Sequence, residues 1–186
     1  MKNWTTAAAI VGAAIASTAL VSCGDSDTDG TELARGPVTV PAEYRPWVAK
    51  AGSTCDAITP ALIAAQIEQQ SAWDARATST AGAQGLSQLL PQTWDTFGID
   101  ADGNGVASPL DPADAIMTLA AVDCDLAARA ATDQAAGLTM DGDLTDIVLY
   151  AFSCGYDCIL TGGPVPAFGE ASTYVEQIKS KVTGQP

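Results

Sequence analysis

The chain has 186 residues, with 22 acidic and 8 basic side chains, a net charge of −14, five cysteines and no histidine. That length holds one compact domain and a short appendage. Without histidine there is no Ser-His-Asp or Cys-His nucleophile pair, no His-ligated zinc and no His general base, and the acid excess leaves no basic stripe for nucleic acid.

Residues 1–22 carry one cation, Lys2, and an Ala-rich apolar run from Ala7 to Val21. The run is shorter than the ~20 residues that cross a bilayer and reads as a signal peptide. It ends in Leu20, Val21, Ser22, Cys23 and Gly24, which resembles the bacterial lipobox, whose cysteine receives lipid and becomes the mature N-terminus. Simple secretion with cleavage near Ala16 is the alternative. Gly24 to Pro37 is polar and acidic, with too few apolar residues to fold. The expected organisation is a signal peptide over 1–22, a lipid-anchored flexible linker over 23–40 and a folded domain over 41–186. Such a chain is exported and held at the bacterial envelope through a lipid on Cys23.

Thr59 caps a predicted helix that begins at Pro60 and runs through Ile63 and Ile67 to about Ala72. Pro91 starts another, through Trp94 and Phe97. Between it and the next helix lie Asp100, Asp102, Asn104, Gly105, Ser108 and Asp111, matching positions 1, 3, 5, 6, 9 and 12 of an EF-hand loop, with the Val106 carbonyl as a further ligand. This predicts a structural Ca²⁺ site, with Asp111 standing where a bidentate Glu is usual. An Asp- and Gly-rich turn, with Asp111 as a helix cap, is the alternative. Asp111 and Pro112 then open an Ala-rich helix to about Ala131, followed by helices over Leu144 to Phe152 and Glu170 to Val182. No segment alternates with a period of two, so the domain is predicted to be mainly α.

Setting Cys23 aside, Cys55, Cys124, Cys154 and Cys158 remain, an even number in an exported chain. Three pairings are open. Cys55 with Cys124 and Cys154 with Cys158 is favoured, because the second pair closes a small loop unaided. A four-cysteine zinc site is disfavoured by the lack of paired CxxC knuckles.

Residues 62–97, LIAAQIEQQSAWDARATSTAGAQGLSQLLPQTWDTF, resemble the core of the soluble lytic transglycosylase (SLT) family. The resemblance rests on Ser71, Trp73, Asp74, Ala77, Ser79, the Gly82 to Leu86 turn, Gln88, Pro91 and Thr93. It continues at Ala151 to Gly155, where the family has Ala-Tyr-Asn-Ala-Gly, and at Glu170, Tyr174 and Val175. It implies a single lysozyme-like helical domain of goose type that acts on the glycan strands of peptidoglycan, without a catalytic cofactor. Family members cut between N-acetylmuramic acid and N-acetylglucosamine and leave a 1,6-anhydro product. One glutamate, directly before the serine, serves as general acid and then base.

Here that position is Gln70, and an amide has no carboxyl proton to give. Glu68 is a poor substitute, since two residues along a helix turn the side chain by about 200°. Phe152 and Ser153 replace the family's Tyr and Asn, and Ala72 a usual glycine, with a methyl expected to narrow the backbone approach. Gln70, Ser71, Gln88, Phe152 and Ser153 are the glycan contacts that the resemblance implies, with polar packing between helices as the alternative for Ser71 and Gln88. The expected protein engages glycan strands with lost or very weak cleavage. A working transglycosylase is the competing reading.

Overall fold

The computed structural model describes residues 38–160 and 169–184. The expected signal peptide, the lipidation site Cys23 and the linker up to residue 37 lie outside these residues.

Among the described residues six α-helices follow one another: α1 (Arg45–Ala51), α2 (Pro60–Ser71), α3 (Pro91–Phe97), α4 (Pro112–Ala135), α5 (Leu144–Cys154) and α6 (Glu170–Thr183), with a 3₁₀ turn at Tyr156–Ile159. Three start where a short oxygen-bearing side chain satisfies a free N–H of the first turn. The Thr59 hydroxyl accepts from Leu62 N at 3.1 Å. Asp111 accepts from Ala113 N and Asp114 N, and Asp143 from Thr145 N. α1 was not predicted. It is seven residues long and Tyr44 caps it with no side-chain bond, so neither periodicity nor a capping residue announces it. Its Val48 and Ala51 are buried, so packing rather than local preference holds it. Among the described residues strand pairing is limited to isolated bridges, Thr78 with Gln84, Gln84 with Leu89 and Thr139 with Leu160, and the mainly α expectation holds.

α4 is the central element. Ile116, Leu119, Val122 and Leu126 recur at helical spacing, are fully or almost fully buried, and face α1, α2, α3 and α5. α6 buries Ala171, Val175 and Ile178 against α2 and α5. Its other face, from Glu170 through Tyr174 to Gln177, is thereby set opposite the end of α2.

Both favoured disulfides are present. Cys55–Cys124 ties the loop before α2 to α4 across 69 residues, a closure that stabilises by about 4 kcal/mol through the unfolded chain. Cys154–Cys158 joins the end of α5 to the 3₁₀ turn.

The stretch between α2 and α3 is held by its own polar groups. Gly85 N donates to Ala77 O, and Ser79 N to Ala83 O, each at 2.9 Å. Gly85 has φ +69°, and a Cβ there would lie 1.7 Å from Pro109 O, so only glycine fits. At the end of α2, Ala72 has φ 49° and ψ 38°, the left-handed conformation that glycine usually supplies at a helix C-terminus. A glycine at this position would take the same backbone conformation without a Cβ.

Candidate functional site

The last turn of α2, the end of α5 and the outward face of α6 enclose a pocket of about 290 Å³. α2 supplies Gln69 and Gln70, and α5 supplies Ser153. α6 supplies Glu170, Thr173, Tyr174 and Gln177, spaced so that they share one face while Ala171, Val175 and Ile178 turn inward. Gln69 Nε2 donates to Gln177 Oε1 at 2.7 Å, tying one wall to the other.

Gln70 is half-buried, and its Nε2 donates to the Tyr174 hydroxyl over a long 3.5 Å. The Tyr174 hydroxyl donates to Gln66 Oε1 at 3.1 Å, and Gln66 Nε2 donates to Asp123 Oδ2 at 2.5 Å. Gln66 and Asp123 are wholly buried. Asp123 Oδ1 has no hydrogen-bond partner among the described residues. Burial, opposed by the Gln66 bond, raises the Asp123 carboxyl from 3.8 to about 7. Burial first, and the Asp123 charge second, hold the Tyr174 phenol well above its usual range, so it stays neutral.

The expected site residues divide. Gln70 and Ser153 line the pocket. Phe152 is buried beneath it and stacks on Tyr174, ring centroids 6.1 Å apart and planes at 14°, so it supports the wall without lining the pocket. Ser71 and Gln88 are not brought to the pocket. The Ser71 hydroxyl bonds back to Ile67 O at 3.2 Å within its own helix. Gln88 is buried and its Nε2 donates to Ala77 O and Gly85 O, so the amide pins the turn before α3. Glu68 pairs with Lys181 at 3.6 Å and is not a pocket residue, in keeping with the helical rotation that separates it from Gln70.

Sequence reasoning missed Gln69, Thr173 and Gln177 as pocket walls, and Gln66 with Asp123 behind them. Glu170 and Tyr174 enter from sequence only through the family resemblance. The available signal was polarity in apolar stripes: Gln66 stands between Ile63 and Ile67, and Asp123 between Leu119 and Leu126.

The acidic loop forms a second cluster. One oxygen each from Asp100, Asp102 and Asp114 lies within 4.8 Å of the others. Oxygens bound to one Ca²⁺ at 2.3–2.6 Å stand up to about 5 Å apart, so the spacing fits that ion. Asp111, expected at the twelfth position, caps α4 through Ala113 N and Asp114 N and stands outside this cluster, whereas Asp114, one turn further on, belongs to it. The loop closes on its own carboxylates, Asp100 accepting from Gly103, Asn104 and Gly105 N, and Asp114 from Ala101 and Ser108 N. The Ser108 hydroxyl accepts from Leu110 N, and Asn104 Oδ1 from Val106 N.

Residues 48–122, from within α1 into the first half of α4, match the family described as the transglycosylase SLT domain. The fold is similar to that of the 70 kDa soluble lytic transglycosylase SLT70 from Escherichia coli, with a TM-score of 0.52 and 22% identity over 77% of this chain. The chain spans about a quarter of that enzyme, 24% of its length, and the likeness establishes the shared lysozyme-like architecture. The SLT match covers the α2 side of the pocket. Ser153 and the α6 wall lie beyond it.

Proposed function

We propose that this is a cell-envelope lipoprotein whose SLT domain engages peptidoglycan glycan strands with lost or very weak cleavage. The observation that carries the reading is the Gln70 amide, at the family's acid position, lining the pocket and bonded to Tyr174. An amide has hydrogen bonds to offer a sugar and no proton to give a glycosidic oxygen. Gln69, Thr173 and Gln177 add neutral donors and acceptors of the kind that sugar hydroxyl and acetamido groups need. Lipid on Cys23, the cysteine of the lipobox-like Leu20 to Cys23 segment, would supply the membrane attachment.

The test is product analysis by mass spectrometry after incubation with intact sacculi. The unmodified protein should co-sediment with sacculi and release few anhydromuropeptides. Gln70→Glu should raise release by about 10²-fold, the lower end of what general acid–base assistance provides. Replacement of Cys23 by Ala should move the protein out of the membrane fraction.

A second reading, an active lytic transglycosylase, is favoured by Glu170, an exposed carboxylate on the same pocket wall. Strong release by the unmodified protein, abolished by Glu170→Gln and untouched by Glu68→Gln, would establish it. We further propose that Asp100, Asp102 and Asp114 hold a structural Ca²⁺ that braces the loop before α4, away from the proton chemistry.

A further inference from the structure

Behind the pocket, four side chains from three helices form one chain of hydrogen bonds: Asp123 of α4, Gln66 and Gln70 of α2, and Tyr174 of α6. Each link limits the next. An ionised carboxylate only accepts, so Gln66 must turn its Nε2 toward Asp123 and its Oε1 toward Tyr174. A phenol has one proton, and Tyr174 gives it to Gln66. Its oxygen is then left to accept, so Gln70 must present Nε2 to Tyr174. With Nε2 held toward Tyr174, the Gln70 amide is left with Oε1 as its acceptor and one further Nε2 hydrogen.

We infer that Asp123 is a positioning residue: acting through Gln66 and Tyr174, it sets the direction of the hydrogen-bond chain so that Gln70 shows its carbonyl oxygen, an acceptor, to the pocket. The ligand groups that this favours are donors, a sugar hydroxyl or an acetamido N–H. That last step rests on the glycan-binding reading, whereas the direction of the chain does not. The same order explains why an amide suits position 70. An ionised carboxylate introduced by Gln70→Glu, the state that pH 8 favours, would place two acceptors against Tyr174, whose proton is already committed, and as long as it stays ionised the mismatch is relieved only if the whole chain reverses. An ionised Asp123 forbids the reversal. An amide at 123 permits it, donating to Gln66 Oε1 so that Gln66 donates to Tyr174 and Tyr174 to the introduced carboxylate.

The test is a double-mutant cycle on the full domain at pH 8, read by thermal unfolding. Gln70→Glu should lower the midpoint by about 2–4 °C when residue 123 is Asp, and by less than half as much in the Asp123→Asn background. A merely structural role for Asp123 makes the two drops equal, and equal drops overturn the inference. Asp123→Ser, smaller and able to donate or accept, serves the same cycle should the Asp123→Asn protein not fold. In a Tyr174→Phe protein the chain is cut and the coupling should vanish. Coupling that persists there also overturns the inference.

A binding arm separates the two claims. Asp123→Asn alone, with Gln70 free to turn either way, should weaken retention of soluble N-acetylglucosamine oligomers by about 5-fold. Unequal midpoint drops with no oligomer retained by any variant would support the direction of the chain and overturn the glycan reading. Equal drops with oligomer retained would do the reverse.

Discussion

The pocket and the acidic loop are both polar, and they are polar in opposite ways. In the loop over residues 100–111, carboxylates and amides bond backbone N–H groups two to five residues away, and Asp114 reaches back six and thirteen residues. In the pocket the partners are 104 to 108 residues apart: Gln69 with Gln177, Gln70 with Tyr174, Tyr174 with Gln66. The loop gets its shape from local chemistry, and the pocket exists only once α2 and α6 have docked. The difference predicts where each is vulnerable. The loop should respond to a ligand that replaces its local bonds, the pocket to the charge state of a group buried behind it.

The largest effect should come from that buried group. The Asp123 carboxyl has a pKa near 3.8 when unfolded and about 7 when folded, so between these values the folded chain holds one proton more. Stability is then fully present below pH 4 and falls as pH rises through 7. The loss is on the order of 4 kcal/mol, and Asp123→Asn should remove that slope. Urea unfolding from pH 4 to pH 8 checks it, and equal slopes in the two proteins would show that Asp123 is not buried as described.

The loop should respond to Ca²⁺ instead. With the weak affinity of extracellular sites, about 10 mM Ca²⁺ should stabilise the domain by roughly 1–3 kcal/mol, read as a rise in melting temperature. Asp102→Asn should abolish the rise. Asp111→Asn should leave it in place, because Asn caps a helix as well as Asp and Asp111 stands apart from the cluster. Loss of the response in Asp111→Asn would restore the EF-hand assignment of the twelfth position. The smallest effect belongs to the helix end beside the pocket, where Ala72→Gly should stabilise by about 1 kcal/mol by relieving a left-handed alanine. An unchanged urea midpoint would count against strain at Ala72.

Much of the fold was legible because its signals are local. Thr59 and Asp111 sit where the first turn of a helix needs an acceptor, and Pro60 and Pro112 stand at the first position that tolerates them. α5 and α4 run two and about four residues past their predicted ends, because Ala-rich or apolar sequence carries no stop signal of its own. The disulfide partners were legible from compartment and spacing. Gln88 shows the limit. Its type and place in a motif pointed to a ligand, and its neighbours across the turn claimed its amide for the backbone.

Amino-acid order alone determined that this domain is helical, that position 70 carries no acid and that residues 100–111 form a tight acidic turn, because each follows from residue chemistry acting within a few positions. Tertiary structure alone decided that α1 exists, that Asp114 and not Asp111 completes the carboxylate cluster, and that Gln69, Thr173 and Gln177 wall the pocket. It alone placed Asp123 and Gln66 behind Gln70. Those facts depend on which faces of α2, α4 and α6 are buried against one another, and burial is a property of the packed helices together rather than of any one segment.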